Sequence, residues 1–262
     1  MNKKLIQEYL LITFSLTLLF WGGCIFLSQA FGLTVGAPWV RIPYVLGGFS
    51  PTVASYVSLK RSGRVRTVKA WLRQVFHVGH SLWVYGEVAL FVLVYYAVNC
   101  LVNGVTVGAP AFLLLLIVPL MLFGGGNEEA GWRMVLQPEL EKALGFHPAT
   151  LITGAVWWVW HLPLFFIHGT ANESMNFLLF GILCLALSYA LATVRRTSGG
   201  VFPCVLTHCL INGLSATLIF DSSLLSAILC LAATLLLSLL FLKLGVFERK
   251  DSQGYSRKNA IR

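Results

Sequence analysis

Six residues in this sequence have the types and spacing to carry chemistry: Glu128, Glu129, Arg133, His161, His208 and Asn212. Glu128 and Glu129 are adjacent and follow Gly124-Gly125-Gly126-Asn127, directly after an apolar run that ends at Phe123. On a helix, Glu129 and Arg133 lie four residues apart and face each other, so they can pair. Glu128 is rotated by about 100° from that pair and is free to point elsewhere. One carboxylate anchored by a cation beside one that is free is a way to present a general base. The plainer alternative is a solvated helix start with one stabilising pair. His208 and Asn212 are also four apart and share a helix face.

These residues belong to an apolar chain. It has 262 residues, of which 57% are hydrophobic and 11% charged, with a mean hydropathy of +0.79. A soluble domain would be about a quarter charged. The expectation is an all-α polytopic membrane protein, a single integral membrane domain over residues 1–262. The net charge of +9 then speaks to orientation, because the basic residues cluster at the ends of apolar runs. They form no aromatic-interleaved groove, so nucleic acid is not an expected partner. The six cysteines (Cys24, Cys100, Cys184, Cys204, Cys209 and Cys230) lie in or beside apolar segments without a CxxC pair, and read as small apolar fillers. Lys3 and Lys4 before a long apolar run with no small-residue cleavage site read as a retained signal anchor.

Apolar runs of bilayer-crossing length predict eight spans: Tyr9–Phe31, Val40–Leu59, Leu82–Val102, Ala109–Phe123, Ala149–Ile167, Met175–Val194, Val201–Phe220 and Ser223–Leu242. An even count puts both termini on one side together with every second loop. That side then holds all of the 19 basic residues except Arg41. The positive-inside rule makes it cytoplasmic, with the cell membrane as the expected location. The basic, partly apolar stretch Arg64 to His80 predicts a short interfacial helix against anionic headgroups. Pro138 to Leu144 reads as the end of a cytoplasmic helix, broken near Gly145 and Pro148. Residues 248–262 read as a cytoplasmic polar tail.

Several polar residues fall inside these spans. His161 lies about 12 residues from the cytoplasmic end of its span, roughly 18 Å deep at 1.5 Å per residue. Pro163 follows and predicts a kink that leaves backbone groups in need of partners. His208 and Asn212 lie about 11 to 17 Å below the same edge, and Glu128 comes from the other direction to a similar depth. A lone buried histidine is ordinarily a hydrogen-bonded structural residue. Two histidines, an asparagine and an acidic pair at matching depth point instead to a water-filled intramembrane site. Glu87, His77, His80, His147 and His168 fall at span ends or in loops and are left outside it.

At these residues the sequence resembles the CPBP family, intramembrane endopeptidases related to type 2 CAAX prenyl proteases and to Abi-like bacteriocin-processing and self-immunity proteins. That family shows EExxxR, FxxxH and HxxxN in order. Glu128 to Arg133 match the first motif and His208 to Asn212 the third, while Trp157 to His161 match the second with tryptophan in place of phenylalanine. The motifs place a catalytic core within residues 109–220. The resemblance implies that Glu128 is the base that activates water and that His161 orients the water or assists proton transfer. It implies that His208 and Asn212 donate to the oxyanion, and that Glu129 holds Arg133 as support.

A zinc-dependent version of the same protease stays open, because Glu, His and His could supply three ligands. The chain lacks HExxH, so the metal-free mechanism, with no cofactor, is favoured. Other functions compete with it. Intramembrane Glu and His also form proton relays in transporters, although no duplicated motif-bearing half is present. A non-catalytic scaffold or immunity protein is a further alternative. The expected partners are membrane lipid and a hydrophobic or lipidated peptide that reaches the site laterally between spans.

Overall fold

The computed structural model describes residues 1–244, and the expected polar tail at 248–262 lies outside them. The described chain is almost wholly helical. The exception is a two-residue antiparallel ladder of β1 (Thr106–Val107) and β2 (Leu218–Ile219), which pairs Thr106 with Ile219 and Val107 with Leu218.

Five helices are long and apolar enough to cross a membrane, where the sequence predicts eight. They are α1 (Lys3–Phe31), α5 (Leu82–Asn103), α9 (Phe146–Trp160) with its continuation to Phe166, α10 (Phe177–Ser198) and α12 (Leu224–Leu244). The other three expected spans have local reasons to fall short. The second is broken into α2 (Pro38–Gly48) and α3 (Ser50–Arg61) at Phe49, because Pro51 has no N–H to continue the ladder and starts a new helix instead. The fourth is a 3-10 turn, Ala111–Leu113, followed by the seven residues of α6 (Leu114–Leu120). The seventh is α11 (Phe202–Leu214), which is about 20 Å long against a hydrocarbon core of roughly 30 Å.

The stretch expected to be interfacial contains a short helix, α4 (Val68–Val75). Trp71 and Val75 are buried, with Trp71 Nε1–H donating to Ser55 Oγ at 3.3 Å, while Lys69 and Arg73 on the other face are exposed.

Packing leaves most of α1 exposed on the outside of the bundle. Its buried residues fall three or four apart (Leu5, Tyr9, Thr13, Thr17, Trp21, Cys24, Ser28), a single stripe, while Leu11, Leu18, Leu19 and Phe26 stay exposed. Threonines on that stripe bond back to the preceding turn and stay polar-satisfied without water: Thr13 Oγ1 to Tyr9 O and Thr17 Oγ1 to Thr13 O, both 2.8 Å. Thr17 Oγ1 also accepts from Trp160 Nε1–H at 2.6 Å, which ties α1 to the end of α9. The central helix is α10. Its stretch Ala186 to Val194 is wholly buried and packs on α5, α9, α11 and α12.

The glutamate motif occupies a compound helix: a 3-10 turn (Gly126–Glu128), one α-turn, α7 (Glu129–Gly131), a π-helical turn (Trp132–Leu136), and α8 (Gln137–Leu144). π-turns of this kind concentrate at functional sites. The break between α2 and α3 is what lets this segment approach. Thr52 Oγ1 donates to Asn127 O at 2.8 Å, and a Cβ on Gly131 would sit 2.6 Å from Pro51 O and against Tyr9 Oη. Only glycine permits that contact.

One end of the molecule is held by acidic side chains that gather the basic clusters. Arg61 pairs with Glu8 at 2.7 Å, and Arg64 with Glu139 at 2.6 Å. Lys142 pairs with Glu139 and Arg196 with Glu141, and the Asn2 N–H donates to Glu139 at 2.7 Å. Burial of the Glu139 carboxyl opposes its ionisation, but the hydrogen bonds and charge of Arg64, Lys142 and the Asn2 N–H outweigh it and hold its pKa at about 2, against 4.5 ordinarily. Because the folded value is depressed, this stabilisation is fully present above about pH 4.5 and is lost as pH falls towards 2. The expected result is a thermal midpoint in detergent that drops across this window in the wild type and drops less in Glu139→Gln.

Candidate active site

Three helix ends meet around Glu128. The carboxylate is 5% exposed, and its Oε2 accepts the Trp157 Nε1–H at 2.7 Å. The Trp132 indole also faces the carboxylate, but its N–H closes no hydrogen bond there within the protein. Glu128 forms no ion pair among the described residues.

Glu129, fully buried, does more than hold Arg133. Its Oε2 accepts from Arg133 Nε at 3.0 Å, and its Oε1 faces His208 Nδ1 at 2.8 Å. The arginine continues the chain of contacts. Its terminal nitrogens reach Ser188 Oγ at 3.3 Å and Gln137 Oε1 at 3.5 Å, and Gln137 Nε2 donates to Thr150 Oγ1 at 3.1 Å. A charged pair inside an apolar bundle survives only when its hydrogen-bonding capacity is filled in this way. A carboxylate accepts only, so Nδ1 of His208 carries a hydrogen and the ring presents Nε2 to the site.

His161 is placed by the kink at Pro163. Its backbone N–H bonds to Trp158 O at 3.1 Å, one residue tighter than α-helical geometry, and the chain continues as a 3-10 turn, Leu162–Phe166. The Trp157 carbonyl, its ordinary helical partner, takes the His161 ring Nδ1–H instead, at 2.7 Å. A carbonyl can only accept, so Nε2 of the neutral ring keeps its lone pair. The ring is enclosed by Trp157, Trp160 and Phe180, with centroids 4.8–5.2 Å away.

Asn212 lies one turn beyond His208 on α11 and donates from Nδ2 to Gly124 O at 2.8 Å. Gly125 sits between the glutamates and α11 with φ +131°, a conformation that side chains disfavour. A Cβ on Gly125 would lie 2.7 Å from Asn212 Nδ2 and 2.8 Å from His208 Nε2. Both nitrogens therefore lie too close for any side chain at position 125, and only glycine lets α11 approach the glutamates here.

The remaining polar residues are engaged elsewhere. Glu87 accepts from Thr197 Oγ1 at 2.7 Å, His147 packs on Phe146 and Tyr189, His77 and His80 lie edge to face, and His168 faces Glu173 at 2.7 Å. Among the described residues, no three His, Cys, Asp or Glu side chains converge as a metal-ligand set.

Residues 110–214 match the family model described as Rce1-like, type II CAAX prenyl endopeptidase. Over this region the chain is similar to the CPBP-type intramembrane proteases. The matched region contains all three motifs and everything that surrounds Glu128 except α1 and the α2–α3 break. No curated protein matches the chain. The match and the five apolar helices together support an intramembrane endopeptidase within an integral membrane protein.

Three features of this geometry are absent from a reading of the motifs alone: the Glu128 hydrogen bond to Trp157, the contact of Glu129 with His208, and the close approach of His208 and Asn212 to Gly125. The first had a signal, since tryptophan in place of phenylalanine adds a donor. The run of three glycines was the signal for the last. The second had none, because nothing in the sequence ties position 129 to position 208.

Proposed function

We propose that the protein hydrolyses peptide bonds of hydrophobic or lipidated substrates, using water activated by Glu128 and no metal. The observation that carries this reading is the convergence of Glu128, His161 and His208 on Trp157, with His208 Nε2 and Asn212 Nδ2 both close against Gly125. Peptide hydrolysis needs a base beside a water and donors where negative charge develops. Glu128 takes a proton from water as the oxygen attacks the scissile carbonyl carbon, and His161 Nε2 accepts the other water hydrogen and fixes its direction. The carbonyl oxygen becomes an oxyanion that His208 and Asn212 stabilise. Asn212 supplies its second amide hydrogen, and His208, as an imidazolium held by Glu129, supplies Nε2–H. The proton on Glu128 then passes to the leaving amine.

The metal-free form of the mechanism is preferred because the chain lacks HExxH. A protease buried among lipid-facing helices takes its substrate from the bilayer, so a CAAX-type lipidated peptide arriving laterally fits this site. The end that gathers Arg61, Arg64, Lys142 and Arg196 is the cytoplasmic face in this reading.

The test is cleavage by wild-type protein in liposomes, comparing prenylated CAAX peptides with unmodified soluble ones, with and without a zinc chelator. The expected result is faster cleavage of the prenylated peptides, unaffected by chelator. Activity lost in chelator and restored by zinc would replace the metal-free mechanism. Proton or solute transport without cleavage of any peptide would remove the protease reading.

A further inference from the structure

Trp157 is linked to every group assigned a step in the proposed hydrolysis except Asn212. Its indole N–H donates to Glu128 Oε2 at 2.7 Å, and its carbonyl accepts His161 Nδ1–H at 2.7 Å. Its ring lies edge-on to His161 and His208, with centroids 5.2 and 5.5 Å away. The side chain is buried at 3% exposure, so water does not substitute for these contacts.

We propose that Trp157 is a positioning residue that commits Glu128 to one base oxygen, Oε1, by holding Oε2 on the indole N–H. This inference rests on the protease reading above. A carboxylate in a dry site has two equivalent oxygens, and either one left without a donor is costly. The indole nitrogen is a donor only. It therefore satisfies Oε2 while Glu128 is ionised, and it cannot accept the proton that the water gives up. That leaves the Oε1 lone pair for the water and fixes the plane of the carboxylate relative to both histidine rings. Phenylalanine at this position, the residue of the motif from which this chain departs, would keep the ring contacts and supply no hydrogen bond. Orientation of a reacting group is worth a large share of the barrier when it removes alternative geometries.

The experiment uses the full-length protein in micelles with isotope-labelled indoles, followed by NMR and by steady-state cleavage. Trp157→Phe identifies the Trp157 indole N–H signal among the eight tryptophans. The expected result is that Glu128→Gln moves this signal upfield and speeds its exchange with water, leaving the other indole signals in place. Trp157→Phe is expected to lower kcat by about tenfold to a hundredfold, the range for a hydrogen bond to a charged group, with KM changed by less than about threefold. Benzothienylalanine at position 157, which replaces the N–H by sulfur and keeps the ring size, is expected to fall to the same level. An indole signal indifferent to Glu128→Gln overturns the proposal whether or not the protein cleaves peptides. Full activity with benzothienylalanine overturns it as well. A signal that moves in a protein that cuts no peptide overturns the protease reading and Trp157's role in it, and leaves the hydrogen bond standing.

Discussion

Gly125→Ala is expected to lower kcat by at least about a hundredfold, the cost of losing oxyanion donors. The new methyl would lie 2.7 Å from Asn212 Nδ2 and 2.8 Å from His208 Nε2, too close for either, and would displace both groups that the proposed mechanism uses as oxyanion donors. The same substitution strains the backbone at φ +131°, at a cost of about 1–3 kcal/mol. Thermal midpoints measured beside cleavage rates separate the two effects. A variant that remains folded and inactive supports the role of those two donors. One that remains folded and cleaves at the wild-type rate contradicts the placement of the oxyanion.

The second large effect concerns stability and divides two adjacent glutamates. Glu129→Gln removes a fully buried carboxylate that faces Arg133 and His208 together, and leaves the guanidinium uncompensated among Ser188 and Gln137. Breaking a buried pair from one side costs about 3–5 kcal/mol. Glu128→Gln is expected to do the reverse. Its carboxylate forms no ion pair among the described residues, so replacing a buried charge by a neutral isostere relieves a desolvation cost and leaves the thermal midpoint unchanged or raised. Unfolding in detergent, followed for both variants under the same conditions, checks the contrast. Equal destabilisation of the two would mean that both carboxylates are structural.

The sequence carried the site further than it carried the fold. Spacing of four placed Glu129 against Arg133, and His208 on the face of Asn212, because helical periodicity is local and fixed. Pro163 announced the kink that turns His161 into its pocket. The spans were less legible. An apolar run looks the same whether it crosses the bilayer whole or breaks midway, so the split at Phe49 and the short α6 and α11 did not show in hydropathy. What decides the break at Phe49 is Pro51, and its consequence is visible only in three dimensions, where Pro51 O meets Gly131. The joining of Glu129 to His208 is likewise a tertiary fact across 79 residues of chain. Of Trp157, the sequence showed the aromatic character and not the direction of its N–H.

The most direct test of the central claim is the rate of peptide cleavage by Glu128→Gln, with fold verified by its thermal midpoint. Glutamine keeps the size of the side chain and can still accept from Trp157, but it cannot take a proton from water. The account predicts a loss of about 10²–10⁴-fold in kcat, the contribution of a general base, in a protein at least as stable as the wild type. Cleavage retained within a few fold of the wild type would contradict it.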